Sequence, residues 1–223
     1  MDDSVLKMAL QSYGYGRWEY PYWFIGPEQG QGQFEEDKLE PRVQAWRHFG
    51  ERELDDSRAF HEKIGDNRWY GGSGKKPRLQ STWYRLILIL FGFLEKSSDD
   101  KSVRDYQRDR WGRLENGETC VIELSGLAAR SFKVPRERDM FRKERIEVIR
   151  QRMQSFPPAL MVMYGLKADA IEGIVGLSHS PEEIVVKGST TMVGVPHPAR
   201  CGWTNERFTK LGERLRLEAP RLH

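Results

Sequence analysis

Tyr22-Trp23-Phe24-Ile25-Gly26-Pro27-Glu28-Gln29-Gly30 reads as a short apolar strand that stops abruptly in a Gly/Pro turn, with one carboxylate just past its end. Far along the chain, Met192-Val193-Gly194-Val195-Pro196-His197-Pro198 has the same layout, with an imidazole in the equivalent place. Open α/β sheets bind ligands outside the carboxyl ends of their strands. One end carrying Glu28 and another carrying His197 therefore predict a single cleft assembled from opposite halves of the chain. Either residue alone also reads as an ordinary polar turn residue, and it is the pair that points to a site.

On either side of these two segments, the pattern alternates strands with helices. Core strands are predicted at Tyr20–Ile25, Thr119–Leu124, Ala159–Tyr164 and Thr191–Val195, with Glu183–Lys187 as a candidate edge strand. Helices are predicted at Leu6–Gln11, Leu39–Phe49, Leu54–Ile64, Trp83–Leu94, Asp100–Trp111, Pro135–Gln154, around Ala168–Ile174, and at Glu206–Arg216. Ser81 or Thr82 is the expected cap of the apolar helix, and Thr204 or Asn205 that of the last. Long helices between strands imply right-handed crossovers and parallel pairing. The expected fold is an α/β three-layer sandwich around a central four-stranded, mostly parallel sheet, formed by residues 1–223 as one domain.

Composition narrows the function classes. A chain of 223 residues with 38% hydrophobic and 31% charged residues can bury a core unaided. Its longest apolar run, Leu86 to Leu94, is too short to cross a bilayer. The N-terminal segment, with Asp2 and Asp3, lacks a secretory pattern, so a cytoplasmic location and no membrane partner are expected. Cys120 and Cys201 offer no zinc or iron–sulfur spacing, and no metal cluster is expected. A net charge of +3 permits nucleic-acid binding without arguing for it. His48, His61 and His179 have no ligand spacing and receive no role. Oligomeric state is not readable.

The order of these motifs resembles the uracil-DNA glycosylase superfamily, and the resemblance spans most of the chain. A first strand leads into Gly26-Pro27-Glu28-Gln29-Gly30, and a middle strand, Val121-Ile122-Glu123-Leu124-Ser125, leads into a base-reading turn. Pro158 to Ala170 supplies an apolar strand, a glycine and an Ala-containing helix. A late strand ends in His197-Pro198. The resemblance implies a DNA glycosylase that needs no cofactor and acts on a flipped base in DNA. Glu28 would stabilise the developing sugar cation or orient water, and His197 would donate a hydrogen bond to the leaving base. Gly26, Gln29, Gly30, Glu123 and Ser125 would line the base, and a stacking aromatic is sought among Phe34, Trp46 and Phe49.

Two departures from uracil-specific members bear on the substrate. Gly30 occupies the place of an aromatic that excludes C5 substituents, although it also reads as a turn glycine. Glu123 occupies the place of a base-reading amide, although it also reads as a partner of Arg130 or Arg136. An ionised carboxylate accepts from the N4 amine of cytosine and cannot donate to O4 of uracil. Together these positions imply a C5-modified pyrimidine, as in phage-defence glycosylases that remove glucosylated 5-hydroxymethylcytosine. The alternatives are a uracil repair enzyme of relaxed specificity and a nucleic-acid-binding protein without chemistry. Lys75, Lys76 and Arg78 are candidate phosphate contacts in a Gly-rich segment that also reads as a solvated loop. Arg200 and Trp203 are candidate duplex contacts, with Trp203 packing under the last helix as the alternative.

Overall fold

The computed structural model describes residues 3–27, 39–71, 76–126, 135–177, 180 and 182–220. Among these, seven strands form one mixed sheet. In chain order the elements are α1 (Asp3–Gln11), β1 (Gly14–Tyr15), β2 (Tyr22–Gly26), α2 (Leu39–His48), β3 (Leu54–Asp55), α3 (Ser57–Lys63), α4 (Ser81–Phe93), α5 (Asp100–Asp109), β4 (Thr119–Glu123), α6 (Pro135–Ser155), β5 (Leu160–Tyr164), α7 (Ala168–Val175), β6 (Ile184–Lys187), β7 (Thr190–Val195) and α8 (Asn205–Glu218). The sheet order is β3-β1-β4-β2-β5-β7-β6.

The expected four strands are its centre. β4, β2, β5 and β7 run parallel, with Gly26 opposite Glu123 and Tyr164 opposite Val195. The sheet exceeds the expected four because two-residue strands β1 and β3 extend one side, with β1 antiparallel to β4, and β6 closes the other antiparallel to β7. Leu54 and Asp55 belong to β3, so the helix expected from Leu54 begins only at Ser57. Asp56 caps it, its carboxylate accepting from the Arg58 and Ala59 N–H groups. Gln80, and neither Ser81 nor Thr82, caps α4 by accepting from Trp83 N–H at 2.6 Å.

Strand alternation divides the core by face. Phe24, Val121, Val162 and Val193 join the cluster built with α2, α3, α4, α5 and α8. Trp23, Ile25, Cys120, Ile122, Met161, Met163 and Met192 join the cluster built with α6 and α7. The sheet is thus apolar on both sides, as parallel sheets between helical layers are. α4 and α8 cross with backbones in contact: a Cβ at Gly212 would overlap the Ile89 carbonyl, and one at Gly92 the Thr209 carbonyl. This crossing fixes the start of α4 relative to the turn that precedes α8. No helix among the described residues is long and apolar enough to cross a membrane.

One buried group sits badly. Asp55 is 2% exposed, and neither carboxylate oxygen has a hydrogen-bond partner among the described residues. Burial pushes its carboxyl up to about 7, only partly offset by Arg52. A raised folded-state pKa means that the folded chain holds this proton more tightly than the unfolded one. The stability it contributes is complete below the unfolded value near 4 and is lost as pH rises through about 7. Asp55→Asn imitates the protonated form. Its stability relative to the parent should therefore improve by on the order of 3 kcal/mol between pH 4 and pH 8. Urea unfolding of both proteins at the two pH values measures this, and an identical difference at both would contradict it.

Candidate active site

The parallel strands deliver one chemical group each to the same edge of the sheet. β4 ends in Glu123, β2 in Gly26, β5 in Tyr164, and β7 runs through Val195 into Pro196-His197. The ladder continues past the strand ends, where Leu124 N–H donates to Gly26 O at 2.8 Å and Gly165 N–H to Val195 O at 2.8 Å. The groups therefore share one rigid rim.

Gly26 is what lets them meet. A Cβ there would overlap the Tyr164 ring and hydroxyl, so the ring lies across the end of β2. From that position the Tyr164 hydroxyl donates to Glu123 Oε1 at 3.3 Å. The other side of the ring meets the His197 imidazole edge-on, with centroids 5.9 Å apart. Burial, and then the Glu123 carboxylate, hold the Tyr164 phenol well above its ordinary value, so it remains a donor. Glu123, Tyr164 and His197 thus form a row.

The turn after β7 sets the state of His197. Arg200 and Cys201 N–H groups both donate to His197 O, at 2.9 and 3.1 Å, and the Arg85 guanidinium of α4 donates to Pro198 O. Ala199 N–H donates to His197 Nδ1 at 3.3 Å. A backbone N–H can only donate, so Nδ1 is the lone-pair nitrogen and Nε2 carries the proton of the neutral ring. Partial burial, then the positive Arg200, lower the imidazole below its ordinary value, against a smaller opposing pull from its own backbone carbonyl, which the Arg200 and Cys201 N–H groups already occupy. The ring is therefore neutral at pH 7 and presents an Nε2–H donor.

The backbone carbonyl of Glu123 is held from behind by an arginine. Arg145, on α6, donates to Glu123 O through Nε at 3.1 Å and Nη2 at 2.6 Å. It also donates to Ala9 O and Ser12 O, each at 2.9 Å, and its guanidinium lies 4.1 Å from the centre of the Tyr13 ring. Burial lowers it to about 10, partly offset by Tyr13 and Glu123, so it stays charged. One cation thereby ties α1, β4 and α6 together beneath the site. Arg130 lies outside the described residues, as does the Arg136 side chain.

Glu123 and His197 line one cleft of about 450 Å³. Trp69, Trp83, Ser81 and Thr82 form a wall, while Arg42, Arg68 and Arg200 line it with positive charge. Arg68 is paired with Asp66 at 2.7 Å, whereas no described residue pairs with the Arg200 side chain. Buried Gln107 holds the wall in shape. Its Nε2 donates to Trp69 O and Arg78 O, each at 2.9 Å, and its Oε1 accepts from Gln80 N–H at 3.0 Å.

The cleft contains a second imidazole to which the sequence gave no role. His61 Nδ1 lies 2.6 Å from Ser57 O. A carbonyl only accepts, so Nδ1 carries the proton and Nε2 the lone pair. Burial pushes His61 down to about 4, and it too is neutral at pH 7. Its ring contacts Tyr15, Tyr70 and Trp83, which are far apart in the chain, so no local spacing could have revealed it.

The remaining candidates separate. Glu28, Gln29, Gly30, Phe34, Lys75 and His179 lie outside the described residues. Ser125 is buried just past β4 and is not among the residues lining the cleft. Trp46 is a correction: it is fully buried in the core, its indole N–H donating to Arg52 O at 2.8 Å. Phe49 likewise packs on that core and against His48. Large aromatics after a first strand usually go to packing. Trp203 stacks on Arg207 at 4.0 Å and on Phe208, and is not among the residues lining the cleft. Lys76 and Arg78 are exposed and off the cleft wall. Cys120 and Cys201 are both free thiols, and no group of three or more metal-ligating side chains occurs among the described residues.

Comparison with known proteins finds no matching family model and no matching curated sequence.

The two tautomers are directly measurable. In ¹⁵N spectra of histidine side chains at pH 7, His197 should be neutral with Nε2 protonated, and His61 neutral with Nδ1 protonated. His61 should resist protonation until pH falls toward about 4. Matching tautomers, or a His61 that titrates near 6.5, would contradict these hydrogen-bond assignments.

Proposed function

We propose that this protein is a DNA glycosylase that hydrolyses the N-glycosidic bond of a flipped pyrimidine and leaves an abasic site. The observation that carries the reading is the Glu123–Tyr164–His197 row on the edge of four parallel strands, in a cleft bordered by arginines. The earliest of those strands, β2, runs between β4 and β5 and leads through Pro27 directly to Glu28. This arrangement agrees with a uracil-DNA-glycosylase-like fold and with the ordered motifs that suggested it.

Each group has a chemical task. Heterolysis of the C1′–N bond leaves the electron pair on the base and positive charge on the sugar. The His197 Nε2–H donates to the 2-oxygen of the base, where negative charge grows, and this hydrogen bond strengthens in the transition state. A neutral donor suits the task because it need not surrender its proton. The Glu28 carboxylate stabilises the sugar cation and accepts a proton from the water that adds at C1′. Glu123, held by Tyr164 and backed by Arg145, accepts from the 4-amine of a cytosine-type base. Arg200 supplies charge for the strand beside the extruded nucleotide.

With glycine at position 30, where the resemblance puts the aromatic that excludes C5 substituents in uracil-specific members, the reading extends to a pyrimidine bearing a C5 substituent, such as glucosylated 5-hydroxymethylcytosine, and so to defence against modified phage DNA. Single-turnover cleavage tests the mechanism. Glu28→Gln should retain DNA binding while losing most base release. His197→Ala should slow cleavage about a hundred- to a thousand-fold with little change in affinity. Near-parental rates in Glu28→Gln would remove that carboxylate from the mechanism. A His197→Ala protein that bound poorly but cleaved normally at saturation would refute the leaving-group role.

A further inference from the structure

Pyrimidine geometry gives the unassigned imidazole a task. Position 5 lies across the ring from position 2, so a C5 substituent points away from the 2-oxygen. With that oxygen at His197, on the β7 side, the substituent is directed along the cleft past Glu123. The sheet order carries this direction from β7 through β5, β2 and β4 to β1 and β3. His61 stands on that far side, on the helix that follows β3 and against Tyr15 of β1.

His61 is also built as an acceptor. It is 8% exposed and contributes to the cleft lining. Its Nδ1–H is committed to Ser57 O, and no described residue donates to Nε2. The neighbouring Tyr70 hydroxyl is buried on the side of Ser57 and makes no hydrogen bond to Nε2. Burial that keeps the ring neutral also keeps that lone pair available across the working pH range. Around it, the indoles of Trp69 and Trp83 and the hydroxyls of Ser81 and Thr82 give an amphipathic wall suited to a polyhydroxylated group rather than a hydrocarbon.

We propose that His61 determines specificity by accepting, at Nε2, a hydrogen bond from a hydroxyl on the C5 substituent of the target base. This rests on the glycosylase reading and names the group by which the substrate is chosen. A site that hydrogen-bonds a substrate hydroxyl discriminates against the analogue lacking it.

The test uses two strands identical except for 5-hydroxymethylcytosine or 5-methylcytosine at one position, with the glucosylated base as a third. The quantity is the ratio of single-turnover rate constants, hydroxymethyl over methyl. His61→Phe should lower this ratio about tenfold, the worth of one hydrogen bond. His61→Gln, which keeps an acceptor, should recover part of it, with thermal unfolding of both variants checked in parallel. If either variant fails to fold, the parent protein decides the matter on non-cleavable 2′-fluorinated strands. There the His61 Nε2 resonance should move with the hydroxymethyl base and not with the methyl base. Rates that fall alike for all bases, or a resonance indifferent to the hydroxyl, would overturn the role of His61 and leave the glycosylase reading standing. Release of no base from any strand by the parent protein would overturn both.

Discussion

A tyrosine ring lies where a side chain on its neighbouring strand would otherwise be. Tyr164 crosses the end of β2 because residue 26 is glycine, and from there it reaches Glu123 on one side and His197 on the other. These strand ends are bound into one hydrogen-bonded edge, so the row moves as a unit with the sheet. Any larger residue at 26 would displace the ring and separate the carboxylate from the imidazole. The rest of the molecule supports that edge: Arg145 anchors β4 from below, and the α4–α8 crossing positions the His197 turn through Arg85.

The central architecture was legible because burial on two faces imposes a simple pattern. Strands such as Leu160 to Tyr164 are apolar at every position, and turn residues mark their ends. The flanking strands were not legible. β1 and β3 are two residues each, and Gly14 adopts a positive φ of 145° so that its backbone can approach the Val121 carbonyl. No periodicity survives in two residues. Leu54 was drawn into the neighbouring helix because its apolar side chain suits either element.

For the site, position relative to a strand end was a good guide and residue type was a poor one. His197 was found because it follows a strand end and Glu123 because it falls in the middle motif of the resemblance, and the structure brings both to one cleft. Tyr164 was passed over as the last core residue of its strand, since only the missing side chain of Gly26 turns it toward function. Trp46 and Phe49 were candidates as aromatics in the segment after the first motif, and both pack on the core. His61 had no sequence signal, because everything that defines it comes from distant segments. Together the two imidazoles show how backbone geometry sets chemistry: one is a donor and the other an acceptor because a different backbone group meets Nδ1 in each.

Whether the cleft breaks a glycosidic bond is decided by base release from defined DNA. The parent protein would be incubated with a panel of DNAs carrying uracil, cytosine, and 5-substituted cytosines, including phage DNA with glucosylated hydroxymethylcytosine, and free bases identified by mass spectrometry. Release of an intact, C5-substituted pyrimidine is expected, with one abasic site formed per base. Binding of these DNAs with no base released from any of them would contradict it.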